Sequence, residues 1–321
     1  MADILFIKTS SLGDVIHNMP AVTEARAHRP GARIAWVVED ALAPLVRLHP
    51  GVDEAIPVAA RKWRLAPHRT TSWRELRGFV RTLRERSYDA VIDTQGLFFK
   101  SAMIARFARG PRHGYDWRSI KEPAASWLYD VRHKVAWRQH AIARNRALTG
   151  LALGYAPQGA PDYGLSRAKL AEPWASPYAV LLHATANAAK QWPEPHWRAL
   201  VAALGRDIDL VALWGSDAER ARAERIAADA PRARVPERQP LDAVARLIAG
   251  ASFVVGVDTG LLHLAAALGV PLAAIFCGSD KDLTGPVGAG SIEVLGERGA
   301  PPAVDDVMRA VGRIRTVSGS A

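Results

Sequence analysis

The feature that most constrains the fold is a rhythm that runs twice along the chain: a short apolar run, a polar turn, a helical stretch, then another apolar run. In the first half the β-rich runs fall at Ile4–Thr9, Arg33–Glu39, Glu54–Val58, Asp89–Thr94 and His113–Tyr115. Helical patterns at Asp14–His28, Trp73–Arg86 and Lys100–Ala108 separate them. Strands interleaved with helices of this length predict βαβ units and a parallel sheet. A helical stretch around Arg138–Leu153 leads into Gly154-Tyr155-Ala156-Pro157-Gln158-Gly159-Ala160-Pro161, whose glycines and prolines predict a linker. The rhythm then restarts, with strands at Ala179–His183, Leu210–Trp214, Phe253–Val257 and Leu272–Phe276. Helices are expected near Pro195–Leu204, Asp217–Ala228, Leu241–Ala249 and Leu261–Leu268, and a last one over Val304–Arg315. The chain therefore reads as α/β, with two doubly wound, Rossmann-like domains at 1–165 and 166–321 facing across a cleft, the last helix able to pack back on the first. Its 321 residues suit two domains of ordinary size. Such sheets bind ligands beyond the C-terminal ends of their strands, so the strand exits are where chemistry is to be sought.

Charge separates the halves. Residues 1–165 hold 25 Lys and Arg against 15 Asp and Glu, an excess of ten, whereas residues 166–321 hold 17 of each. A one-signed field over one domain draws polyanions to it, and nucleic acid, an anionic membrane face or an acidic glycolipid would each fit. The excess has a focus in Arg61, Lys62, Arg64, Arg69, Arg74, Arg77, Arg81, Arg84 and Arg86, set against Glu75 and Glu85. Guanidinium forks grip carboxylates and phosphates, Trp63 and Trp73 offer faces for a sugar or lipid, and part of the helix from Trp73 is solvated surface. No RNA-binding motif, zinc spacing or repeat accompanies these residues. No run of 18 apolar residues occurs, and the first residues lack the pattern of a secretory leader and read as a first strand. The one cysteine, Cys277, closes an apolar run and is expected to be buried.

Four strand exits carry the candidate chemistry. Lys8-Thr9-Ser10-Ser11-Leu12-Gly13-Asp14 turns from a strand into a helix, with neither G-x-G-x-x-G nor P-loop spacing, and places Asp14 as either helix cap or general base. The exit at Ala184-Thr185 leads through Asn187-Ala188-Ala189 to Lys190, a mobile ammonium suited to a diphosphate, although a lone loop lysine is more often mere surface. Trp214-Gly215-Ser216-Asp217-Ala218-Glu219 puts Glu219 in a first helical turn, where it either accepts from a ribose or favours the helix dipole. Asp258-Thr259-Gly260 enters a helix directly, so that backbone amides and the Thr259 hydroxyl form an anion cradle, with His263 one turn on. Of two Asp-x-Asp patterns that could suggest a metal, Asp207-Ile208-Asp209 precedes a strand, at the wrong end of the sheet. Asp280-Lys281-Asp282 follows one and reads as an ordinary turn.

Taken together, Lys8–Asp14, Tyr88-Asp89-Ala90-Val91-Ile92-Asp93-Thr94-Gln95-Gly96-Leu97, His183–Thr185 with Lys190-Gln191-Trp192-Pro193, and Asp258–His263 resemble the ADP-heptose:lipopolysaccharide heptosyltransferase family, of GT-B architecture. His113-Gly114-Tyr115-Asp116-Trp117 and Glu122-Pro123 are similar to the branch that adds the first heptose. The resemblance implies an inverting, metal-independent transfer, with no cofactor, from ADP-L-glycero-β-D-manno-heptose to the first Kdo of Kdo2-lipid A. It implies Asp14 as general base and Lys190, Thr259 and Gly260 on the departing phosphates, with Thr185 nearby. Glu219 would hold the ribose, Asp258 and His263 would shape the heptose and phosphate pocket, and Arg61, Lys62 and Arg64 would meet the Kdo carboxylates and lipid A phosphates. The place implied is the cytoplasmic side of a Gram-negative inner membrane, peripherally attached, without nucleic acid. A later heptose-adding branch, or a non-catalytic binder of an anionic glycolipid, is the alternative.

Overall fold

A computed structural model describes residues 2–65, 68–279 and 281–318. The chain divides into two compact units, 1–164 and 165–321.

The first unit runs β1 (Asp3–Ile7), α1 (Leu12–Ile16), α2 (Met19–His28), β2 (Arg33–Glu39), α3 (Ala43–Val46), β3 (Glu54–Val58), α4 (Ala60–Leu65), α5 (Thr70–Arg84), β4 (Ala90–Asp93), α6 (Met103–Phe107), β5 (Arg112–Tyr115), β6 (Val131–His133) and α7 (Ala141–Leu153). Its sheet is parallel, in the order β3-β2-β1-β4-β5-β6. The central strands read as unbroken apolar runs because helices cover both faces, and Leu5, Phe6, Ile7, Val37 and Val91 are fully buried. Along α5, Leu76, Phe79, Val80 and Leu83 recur at helical spacing and pack into the core with Leu5, Ile7, Ile56 and Val58. The single helix expected over Asp14–His28 is two, divided at His17 and Asn18. Pro20 lacks an amide hydrogen and is accommodated in the first turn of a new helix rather than within a continuous one.

The second unit runs α8 (Arg167–Leu170), β7 (Tyr178–Leu182), α9 (Glu194–Leu204), β8 (Asp209–Ala212), α10 (Asp217–Ala227), β9 (Ala233–Arg234), α11 (Leu241–Gly250), β10 (Phe253–Val257), α12 (Gly260–Ala267), β11 (Leu272–Ile275), α13 (Lys281–Thr284), β12 (Ile292–Leu295) and α14 (Val304–Ser318). Its sheet order is β12-β11-β10-β7-β8-β9, which is the order of the first sheet repeated. In each sheet the winding reverses once, between β1 and β4 and between β7 and β10. An open parallel sheet forms its ligand crevice at such a reversal.

The Gly154–Pro161 segment belongs to the first unit: α7 ends with Gly154 in the left-handed region, and Arg146 then donates to the Gln158 and Gly159 carbonyls while Tyr155 stacks on His28. The last helix packs its apolar side within the second unit. Val307, Ala310, Val311 and Ile314 are buried in the second unit's core, in the same cluster as Trp197, Leu200 and Ile275. Cys277 is a buried free thiol, and burial pushes it above its ordinary range.

Candidate active site

The first unit's switch point is built by β1 and β4. Asp14 lies half-buried in the first turn of α1, where its Oδ2 accepts from the Ser11 amide at 2.9 Å and the Ser11 hydroxyl at 2.8 Å. Both bonds fall on one oxygen, so Oδ1 accepts none among the described residues. A helix cap and a base are therefore not exclusive readings of Asp14. The β1 exit is clamped to β4 by Gln95, whose Oε1 accepts from the Thr9 amide and hydroxyl at 2.6 and 2.9 Å while its Nε2 donates to the Ser10 carbonyl at 2.8 Å. Asp93 in turn fixes the β4 exit. It is fully buried, accepts from the Gln95 and Gly96 amides through Oδ1, and accepts from the Tyr129 hydroxyl at 2.7 Å through Oδ2. Burial raises the Asp93 carboxyl, and the Tyr129 and backbone donors work against that rise. Lys8, also buried, donates to the Thr94 carbonyl at 2.9 Å, and desolvation lowers its ammonium even with Asp14 and Asp93 in its field.

Sequence reasoning quoted Lys8, Asp93 and Gln95 within motifs but gave them no role, and it missed Tyr129. The contacts of Lys8 with Thr94, of Gln95 with Thr9 and of Tyr129 with Asp93 join positions 36 to 86 residues apart, which no local pattern reveals. Tyr129→Phe is expected to lower unfolding free energy by about 1–3 kcal/mol, because the buried Asp93 oxygen loses its donor and gains no water. Urea denaturation reads this as a lower midpoint at unchanged slope. A midpoint equal to that of the unaltered protein would show the hydroxyl to be idle.

The second unit's switch point gathers Lys190, Asp258, His263 and a residue the sequence gave no hint of, Ser279. Lys190 Nζ lies 2.7 Å from Asp258 Oδ2, the Ser279 hydroxyl donates to the same oxygen, and His263 Nε2 stands 3.8 Å from Oδ1. Burial would raise Asp258, but the neighbouring His263 and the hydrogen bonds from Lys190 and Ser279 outweigh it and hold the carboxyl far below the usual carboxylate range. Asp258 is thus a fixed anion that orients the Lys190 ammonium. Gly278 permits this approach, since a Cβ there would lie 2.6 Å from the Ala189 carbonyl oxygen on the Lys190 loop. Beneath the loop, Arg222 is buried and donates to the His183 and Trp192 carbonyls at 2.7 Å each, tying both of its ends down. Thr259 caps α12, and the first amides of α12, beginning at Gly260, lack partners within the helix. Thr185 follows β7 and is half-buried. Together these groups present an ammonium, hydroxyls and free amides at one strand-exit cluster, the equipment for holding a diphosphate as charge develops on it.

The remaining candidates are placed less simply. Glu219 turns back on its own helix, where Oε2 accepts from the Gly215 and Ser216 amides at 2.7 and 3.1 Å, leaving only Oε1 for a ribose. Arg61, Lys62 and Arg64 lie on α4. The Lys62 ammonium is held by Glu75 at 2.6 Å, the Arg61 guanidinium makes no ion pair among the described residues, and the Arg64 side chain lies outside what the structure describes. Asp209 opens β8 at the N-terminal end of the strand and bonds Ser176. Asp280 of the Asp280-Lys281-Asp282 pattern lies outside the described residues. Among the described residues no three His, Cys, Asp or Glu side chains gather as a metal site.

Two parallel sheets of this order in one chain are those of the GT-B fold. Residues 76–310 match glycosyltransferase family 9 (heptosyltransferase), and the chain belongs to this family. It is 45% identical over 296 residues to lipopolysaccharide heptosyltransferase 1 of Pseudomonas aeruginosa, covering 91% of this chain and 83% of that one. The structure of the Escherichia coli heptosyltransferase WaaC with ADP superposes with a TM-score of 0.91 at 39% identity, over 97% of this chain and 99% of that one. WaaC with ADP-2-deoxy-2-fluoro heptose gives 0.86 at 38% identity, over 99% and 100%.

Proposed function

We propose that the chain transfers L-glycero-D-manno-heptose from ADP-heptose to the first Kdo of Kdo2-lipid A, with inversion, during synthesis of the lipopolysaccharide inner core. The observation that carries this reading is chemical division between the two switch points: a carboxylate with one free oxygen in the first unit, and an ammonium–hydroxyl–amide cluster in the second. A single displacement at a sugar carbon needs a base for the attacking hydroxyl and stabilisation for the leaving phosphate. Asp14 takes the proton of the Kdo hydroxyl. As the anomeric carbon–oxygen bond breaks, the pair of electrons goes to the β-phosphate of ADP, where Lys190 and the amides around Thr259 and Gly260 receive the charge, with Thr185 beside them. Glu219 Oε1 takes a ribose hydroxyl, and Asp258 and His263 line the heptose side. Arg61, Lys62 and Arg64 meet the acceptor's carboxylates and phosphates, and the protein works at the cytoplasmic face of the inner membrane that carries that lipid. None of these steps draws on a metal or cofactor.

The test is a choice of acceptor. With ADP-heptose supplied, the protein is expected to release ADP and add one heptose to Kdo2-lipid A, read by mass spectrometry, and to leave an already heptosylated acceptor unchanged. The reverse preference would move it to a later step of the same pathway, and no ADP release with either acceptor would make it a binder.

A further inference from the structure

The outer face of α5 is used by nothing described above. Arg74, Arg77 and Arg81 recur at three- and four-residue spacing, all exposed, with Arg84 continuing the row. Arg74, Arg77 and Arg81 make no hydrogen bond or ion pair among the described residues; of the two acids of this stretch, Glu75 is taken by Lys62 and Trp63, and Glu85, at the C-terminal cap of α5, forms no ion pair with Arg81. A groove of about 700 Å³ runs along this face, lined by Thr70, Trp73, Arg74, Arg77, Gly78 and Arg81. Trp73 stands at its head with 56% of its surface exposed. Seven residues of helix set Arg74 and Arg81 about 10 Å apart, so the row is a line of charge rather than a single-anion pocket.

We infer that the Arg74–Arg77–Arg81 face of α5 docks the protein on the headgroup phosphates of an anionic phospholipid bilayer. The argument is one of charge and chemistry. The chain's entire excess of ten positive charges lies in this unit, and these three guanidinium groups make no ion pair among the described residues. The apolar side of α5 is spent in the core on Phe79 and Leu83, so the helix is not one that inserts, and its exposed side attracts only through charge. A lone indole at the end of a cationic row suits a bilayer interface, while single-stranded nucleic acid would call for several interleaved aromatic faces. The contact rests on the proposed function only in that the lipid-borne acceptor lies in such a bilayer.

Sedimentation with vesicles decides the point. The protein is expected to partition onto vesicles of phosphatidylcholine mixed with phosphatidylglycerol, not onto phosphatidylcholine alone, and to be released by salt. Each basic residue near an anionic surface multiplies the partition roughly fivefold, so R74S/R77S/R81S should weaken it about 100-fold. Its thermal midpoint and its transfer to a deacylated, soluble acceptor should be unchanged. R74K/R77K/R81K keeps the charge and should keep the binding. Equal partition of the serine variant, indifference of the unaltered protein to phosphatidylglycerol, or loss in the lysine variant would each overturn the inference. So would losing RNA binding instead of vesicle binding. A chain that docks through these arginines yet transfers nothing to the deacylated acceptor would sink the proposed function and leave the docking surface standing.

Discussion

Asp14→Asn is expected to lower turnover by ~10²–10⁴-fold, the usual worth of a positioned base, while ADP-heptose affinity stays within about threefold of the unaltered protein. The asparagine oxygen can still accept from the Ser11 amide and hydroxyl, which now bond Asp14 at 2.9 and 2.8 Å, so the start of α1 keeps its geometry. What disappears is the ability of the other oxygen to take a proton. Donor affinity by calorimetry and turnover by ADP release separate the two functions. Turnover within threefold of the unaltered protein would remove Asp14 from the mechanism, and an equal fall in donor affinity would make it a binding residue instead.

The second large effect is expected at Lys190. Lys190→Ala removes the ammonium that receives leaving-group charge, and a fall of ~10²–10³-fold in turnover is the usual consequence of losing one such donor. It also strips the buried Asp258 of its cation, leaving the carboxylate with Ser279 and His263 alone. Stability is therefore expected to fall by about 1–3 kcal/mol, and ADP affinity to fall with it because an unbalanced anion now faces the phosphates. The double change Lys190→Ala with Asp258→Asn distinguishes these effects. It should restore the thermal midpoint, since the stranded charge is gone, but not the turnover. Recovery of turnover along with stability would mean that the lysine served only to neutralise Asp258.

These effects depend on contacts between segments far apart in sequence, and this marks what could be read early. Central strands such as β1, β2 and β10 announced themselves because a strand buried on both faces must be apolar throughout. Three of the four edge strands, β6, β9 and β12, did not. Val131-Arg132-His133, Ala233-Arg234 and Ile292–Leu295 are short, partly exposed and mixed in character, as edges that must not invite pairing tend to be. The helix break at Asn18 was written in Pro20, but a proline in the first turn of a helix and one just past a helix end look alike until the helix boundaries are known.

The sequence by itself determined the twofold βαβ rhythm, the charge imbalance and the residue types delivered at each strand exit, because these follow from periodicity and composition along a local stretch. Only the tertiary structure decided which exits meet. It set Asp258 and Ser279 against Lys190, Gln95 against the β1 exit and Tyr129 against Asp93, and it turned Glu219 back onto its own helix. The physical reason is that a sheet's winding order is fixed by packing across the whole unit. A carboxylate's role follows from which donors reach it there, and the residues flanking it in sequence do not supply them.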